Sequence, residues 1–155
     1  MSGFEILTLV IAGLSALVAI ISAVYASKAN RFANASVELS LYNTINSTKE
    51  KIMDCTESME ELLAKKNLTA DEKRLLDLKQ KRFNVAIENN LNAYEEACAK
   101  YRDGKIDRKR FRKMYSAEIH KIINDKNLSK YYDDVKSKYQ ATIEVYKEWF
   151  HLETK

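Results

Sequence analysis

This sequence contains no proline and only three glycines, two cysteines and two histidines. Each scarcity excludes something. Without proline, and with glycine confined to Gly3, Gly13 and Gly104, little interrupts a helix and no glycine-rich phosphate loop can form. Cys55 and Cys98 match no zinc spacing and make a poor disulfide framework, so both read as small core residues of a reducing compartment. Neither His120 nor His151 has a cysteine, histidine or carboxylate at a convincing metal-ligand spacing, so both read as surface or rim residues, and no nucleophile–base motif is present. No metal, cofactor or small-molecule substrate is expected, and the chain does not read as an enzyme.

Charge is missing where it matters most. Ile6–Tyr25, ILTLVIAGLSALVAIISAVY, is twenty residues without one. The mean hydropathy of the whole chain, −0.43, hides this division, because the rest is dense with the 26 Lys+Arg and 22 Asp+Glu. A helix needs about 20 apolar residues to cross a hydrocarbon core of about 30 Å. A secretory signal begins with positive charge and carries a shorter apolar stretch. Here no Lys or Arg precedes the segment, so a retained transmembrane helix is expected. Lys28, Arg31, Lys49 and Lys51 follow it, which predicts residues 28–155 inside the cell and Met1 outside. The expected organisation is an anchor over 1–27, a juxtamembrane helix over 28–66 and a cytoplasmic helical domain over 67–155.

The small residues of the anchor are ordered. Thr8, Ala12, Ser15, Ala19, Ser22, Ala26, Ala29, Ala33, Ser36 and Ser40 alternate by four and three. That spacing averages 3.5 residues per turn, the period of a left-handed supercoil seam. Lipid tails are as apolar as leucine, so helices associate in a bilayer through close backbone approach, packing and Ser/Thr hydrogen bonds. The seam therefore predicts a homo-oligomer in the lipid bilayer. In a ring of helices, Thr8, Ser15 and Ser22 are the candidate pore-lining positions. The competing reading has these hydroxyls bonding back to carbonyls of their own helix.

Beyond the anchor the periodicity stays helical and no segment reads as a strand. Leu41, Ile45, Thr48, Ile52, Cys55, Met59 and Leu62 make one stripe, with NTINST (43–48) as its soft spot. NLTADEK (67–73) predicts a turn and restart, with Thr69 and Glu72 as a capping box. A second helix over about 70–101 carries Leu76, Phe83, Ile87, Leu91, Tyr94, Cys98 and Tyr101. Gly104 ends it in a left-handed conformation, and Asp107 caps a third helix bearing Phe111, Tyr115, Ile119 and Ile122. A last helix is expected to carry Leu128, Tyr132, Val135, Tyr139, Ile143, Tyr146 and Phe150. The fold class is all-α, an N-terminal transmembrane helix continuing into an antiparallel bundle.

One stretch is strongly basic. Residues 100–113 hold Lys100, Arg102, Lys105, Arg108, Lys109, Arg110, Arg112 and Lys113 against Asp103 and Asp107. Such a patch can attract RNA or anionic lipid phosphates. The plainer reading, a solvated helix start paired with acidic residues around Glu57, Glu60 and Glu61, is preferred because no base-stacking motif accompanies the charge.

NAYEEACAKYRDGKIDRKRFRKMY (92–115) resembles a pattern in small bacterial single-pass membrane proteins: Asn, an aromatic, Glu, then Gly-x-Ile-Asp before an aromatic helix. Here those positions are Asn92, Tyr94, Glu95, Gly104, Ile106, Asp107 and Phe111. Length and layout are similar to the membrane accessory proteins of type VI-B CRISPR systems. The resemblance implies a HEPN-like helical domain, a ring-like pore in the bacterial inner membrane, and an RNA-guided nuclease or RNA as partner in antiviral defence. HEPN ribonucleases use Arg and His separated by four to six residues. Arg112 and His120 have seven between them, so the resemblance implies assembly rather than RNA cleavage. Read physically, Asn92 and Glu95 sit one turn apart, and both are expected to satisfy backbone donors of the Gly104–Asp107 loop.

Overall fold

The computed structural model describes residues 3–132 and 137–150, without the side chains at 3 and 5–11. The described residues contain four helices and one short 3₁₀ turn joined by short connections, with no strand among them. They are α1 (Gly3–Leu63), α2 (Ala70–Arg102), α3 (Arg108–Asn124), the 3₁₀ turn Ser129–Tyr131 and α4 (Gln140–Phe150). The contacts divide the chain into two compact units, Met1–Ser36 and Val37–Lys155, and α1 contributes to both.

The second unit is a helical bundle. α1 brings Leu41 and Ile45 to its core, α2 Ala93, Tyr94, Ala97, Cys98 and Tyr101, α3 Phe111, Tyr115 and Ile119, and α4 Ala141, Val145 and Trp149. These positions recur every three or four residues, so each helix buries one stripe. Trp149 stands edge-on to Tyr101 with ring centroids 5.3 Å apart, and its indole N–H donates to the Tyr101 hydroxyl at 3.0 Å. Burial of each large apolar side chain contributes about 1.5–3 kcal/mol before entropy is set against it.

The NTINST stretch does not interrupt α1. Its hydroxyls bond within the helix: Thr44 donates to the Ser40 carbonyl at 2.9 Å and Thr48 to the Ile45 carbonyl at 2.8 Å. Buried neighbours Leu41, Ile45 and Thr48 then hold the segment against the bundle, outweighing weak helix propensity. At the next turn the capping box forms: the Thr69 hydroxyl accepts from the Glu72 amide at 3.3 Å and Glu72 accepts from the Thr69 amide at 2.9 Å. Lys65 adds an ion pair at 2.5 Å, and these partners hold the Glu72 carboxyl down at about 2.

α2 ends as glycine dictates. Gly104 takes φ +68°, the Gly104 amide donates to the Tyr101 carbonyl at 3.2 Å, and the Lys105 amide donates to that of Lys100 at 3.0 Å. This pair of bonds is the Schellman arrangement, which closes open carbonyls that a β-carbon at that φ would strain. Asp107 then caps α3, accepting from the Arg110 amide at 2.9 Å.

The last helix differs from expectation. It begins at Gln140, not near Leu128, and Val135 lies outside the described residues. Ser137 competes for the backbone, donating to the Tyr131 carbonyl at 2.5 Å and accepting from the Tyr139 amide at 2.9 Å. Serine offers a local alternative to the helical ladder in this way, and hydrophobic spacing alone cannot register it.

Candidate functional site: the exposed apolar helix and the basic loop

α1 carries the one helix segment among the described residues that is long and apolar enough to cross a membrane. None of that segment's most apolar stretch is buried against the rest of the chain. Of the small-residue seam, Ala12, Ser15, Ala19, Ser22, Ala26, Ala29 and Ala33 are all exposed, whereas the Thr8 side chain lies outside the described residues. The large residues between them are exposed too: Leu14, Leu17, Val18, Ile20, Ile21 and Val24. The surface of a folded soluble chain does not ordinarily carry a contiguous apolar area of this kind. A β-carbon built on Gly13 would meet nothing within 4 Å, so no neighbour in this chain requires glycine there.

The basic loop is assembled differently from an open phosphate trap. Arg108 turns back onto the C-terminus of α2, donating from Nε to the Tyr101 carbonyl at 3.2 Å and from Nη2 to that of Arg102 at 2.9 Å. Arg112 reaches the Trp149 carbonyl at 3.2 Å, near the end of α4. Both guanidinium groups thus sit at helix C-termini, where the helix dipole is negative. Arg110 pairs with Glu38 at 2.8 Å and, more loosely, with Asp107 at 3.8 Å. Arg102 pairs with Glu144, and Lys105 with Asp103 at 3.3 Å. The carboxylates that meet this loop are therefore Glu38, Asp103, Asp107 and Glu144, not Glu57, Glu60 and Glu61. Lys100, Lys109 and Lys113 have no hydrogen-bond or ion-pair partner among the described residues.

The expected work of Asn92 and Glu95 also falls elsewhere. Glu95 accepts from the Ala141 amide at 2.8 Å, the Thr142 amide at 2.9 Å and the Thr142 hydroxyl at 2.8 Å, capping the start of α4. The Asn92 side chain is exposed and makes no hydrogen bond among the described residues. One backbone donor of the Gly104–Asp107 loop, the Asp107 amide, is taken by Glu38 of α1 at 2.7 Å. Glu95 faces α4 because α2 packs most closely on that helix, and one turn of spacing specifies a face without specifying its neighbour.

A polar layer joins α1, α2 and α3. Lys49 donates to Glu118 at 2.7 Å, Tyr94 donates to the other oxygen of Glu118, and the Asn90 amide donates to Thr48 at 2.9 Å. Lys49, Asn90, Tyr94 and Glu118, with Lys121 and Asp125, border a cleft of about 240 Å³. Burial, then the Glu118 carboxylate, pushes the Tyr94 phenol far above its ordinary value. Such a phenol is a fixed donor rather than a base, and Glu118 is already doubly engaged. His120 packs edge-on against Phe150 at 4.9 Å, and His151 lies outside the described residues. Among the described residues, no three His, Cys, Asp or Glu side chains gather to hold a metal. Glu38, Lys49 and Glu118 are absent from any local motif. Glu38 and Lys49 meet partners 69 or more residues away, and Glu118 meets Lys49 at 69 and Tyr94 at 24, so no spacing rule reports them.

No protein-family model, no curated protein and no solved structure matches this chain.

Proposed function

We propose that this protein is a homo-oligomeric, single-pass protein of the bacterial inner membrane, with its N-terminus outside and its helical bundle in the cytoplasm. It acts as a pore-forming or membrane-depolarising accessory of CRISPR-linked antiviral defence. The observation that carries this reading is the exposure of every described residue from Ala12 to Ser36 along a helix whose small residues keep a 4-3 register. The large aliphatic side chains suit lipid. The small ones suit a neighbouring copy, because only they let two backbones approach closely. The resemblance over residues 92–115 supports the defence role and the HEPN-like character of the bundle.

Replacing Ala19 and Ala26 by Leu tests the reading. The variant inserts but loses the oligomer on crosslinking in membranes, and with it any depolarisation of the expressing cell. A variant that remains fully active as a monomer refutes the proposal.

A second reading is a membrane-tethered module that binds RNA or a protein without forming a pore. It is favoured by Lys109 and Lys113, which are exposed, unpartnered and one turn apart on α3. Their replacement by Glu discriminates the readings. RNA or partner retention falls under the tethered module, whereas the pore is unaffected. Reversing Arg108, Arg110 and Arg112 instead would break structural contacts and answer a different question.

A further inference from the structure

The exposed segment of α1 contains an asymmetry that the seam does not explain. Between Glu5 and Glu38 the sequence has two cations, Lys28 and Arg31, and no carboxylate. Elsewhere several bases close on acids: Lys49 on Glu118, Lys65 on Glu72, Arg102 on Glu144 and Arg110 on Glu38. Lys28 and Arg31 have no partner among the described residues. Glu38, the next carboxylate along the helix, has one oxygen occupied by the Asp107 amide and the other by Arg110.

The two cations are also placed together. Lys28, Arg31, Phe32 and Ala35 line one recess on the helix surface. Their spacing of i, i+3, i+4 and i+7 is a single helical face. Tyr25 lies one turn before Lys28 on the same face, and Tyr25 and Phe32 are 68% and 77% exposed. Tyr25, Lys28, Phe32 and Ala35 each stand one residue, about 100° of rotation, from the seam positions Ala26, Ala29, Ala33 and Ser36, and Arg31 stands two residues from Ala29 and Ala33. The cationic face is therefore beside the packing face, not on it.

Depth along the axis completes the argument. At about 1.5 Å per residue, Ile6–Tyr25 spans about 30 Å, the thickness of a hydrocarbon core. Lys28 then lies about 4.5 Å beyond Tyr25 and Arg31 about 9 Å beyond it, at the level of lipid phosphates. Tyr25 and Phe32 have the amphipathic or aromatic character that suits this interface. Two neighbouring cations, one of them a planar bidentate donor, match a phosphodiester anion better than water alone.

We infer that Lys28 and Arg31, flanked by Tyr25 and Phe32, form a binding site for the phosphate headgroup of an anionic phospholipid. The inference rests on the membrane reading above. The site holds one lipid phosphate between the Lys28 ammonium and the Arg31 guanidinium, with Tyr25 at the edge of the hydrocarbon core below it and Phe32 on its outer side, about 10.5 Å beyond Tyr25. It fixes the depth and rotation of each helix, leaving the small-residue face turned toward its neighbour.

The full chain is first tested for insertion by carbonate-resistant flotation with pure phosphatidylcholine vesicles. It is then extracted in detergent and offered equimolar phosphatidylglycerol and phosphatidylcholine, with lipid retention read by native mass spectrometry. The expected result is insertion, with phosphatidylglycerol retained at least five-fold over phosphatidylcholine. The preference should collapse to near parity in K28Q/R31Q and persist in the control K51Q/K66Q. Failure to insert overturns the membrane reading itself. Insertion with equal retention of both lipids, or an unchanged preference in K28Q/R31Q, overturns the lipid site alone. Displacement of phosphatidylglycerol by millimolar inorganic phosphate marks a free-anion site and also overturns it.

Discussion

Glu95 on α2 divides its two carboxylate oxygens between the first residues of α4, one on the Ala141 amide at 2.8 Å and the other on the Thr142 amide at 2.9 Å and hydroxyl at 2.8 Å. A side chain from one helix thus serves as the N-cap of another. The negative charge also lies at the positive end of the α4 dipole.

Removing that cap destabilises the bundle through α4. Glu95→Ala is expected to cost about 2 kcal/mol, in the range for hydrogen bonds to a charged group, and Thr142→Val about 1 kcal/mol. Trp149, the single tryptophan, is fully buried on α4 and reports the change directly. Its fluorescence during urea unfolding of the detergent-solubilised chain gives both numbers. Glu95→Gln keeps the shape but turns donors toward donors, so an unchanged midpoint for that variant would rule out the ionised cap.

The Asp107 loop makes a parallel prediction at Glu38. Glu38→Gln keeps an acceptor for the Asp107 amide while losing the Arg110 ion pair, whose arginine is largely exposed. Exposed pairs contribute about 0–1 kcal/mol, so this variant stays near wild type. Glu38→Ala removes both contacts and speeds hydrogen exchange through the first turn of α3, at Arg108 to Phe111. Equal exchange in the two variants would mean the amide contact contributes nothing.

The cysteines separate by reactivity. Cys98 is fully buried, and desolvation pushes its thiol up to about 12, while Cys55 is only half-buried. Thiolate is the nucleophile, so iodoacetamide at pH 8 labels Cys55 and spares Cys98 until the chain unfolds. Peptide mapping of the native protein after labelling checks this, and prompt modification of Cys98 would contradict the packing of α2 on α4.

Alkali destabilises the bundle by a defined route. Burial, then the Glu118 hydrogen bond, raises the Tyr94 phenol above the ordinary 10.0, and burial raises Tyr101, Tyr115, Tyr132 and Tyr139 as well. A group raised in the folded state gives its full stability below its unfolded value and loses it as pH climbs. Unfolded tyrosines lose protons near pH 10 while the folded ones keep them, so stability falls from there upward. Tyr94, whose shift is large, steepens the decline toward a limiting slope of about 1.4 kcal/mol per pH unit above its unfolded value. Tyr94→Phe is expected to flatten the decline by about that amount, measured as urea stability at pH 9, 10 and 11. Tyrosinate absorbance rising well before helicity is lost would show the phenols to be open to solvent.

Local signals were readable wherever one residue acts on its own neighbours. Thr69 with Glu72, Gly104 after a helical stripe, and Asp107 ahead of the next stripe each specify a terminus by contacts three or four residues away. The all-helical character follows as readily, from the lack of proline and the recurrence of apolar residues at helical spacing. The charge-free length of Ile6–Tyr25 likewise identifies a helix apolar enough for a bilayer, since hydropathy depends only on composition. Tertiary structure alone decided which acid meets which donor. Glu95 was legible as a helix-face carboxylate but not as the cap of α4, and Glu38 gave no local sign of holding α3. Ser137 delayed α4 to Gln140 through contacts that a hydrophobic stripe does not encode. Periodicity specifies the direction a side chain faces, but packing selects the residue it meets, because bonds across 46 to 72 positions depend on helix placement rather than on spacing.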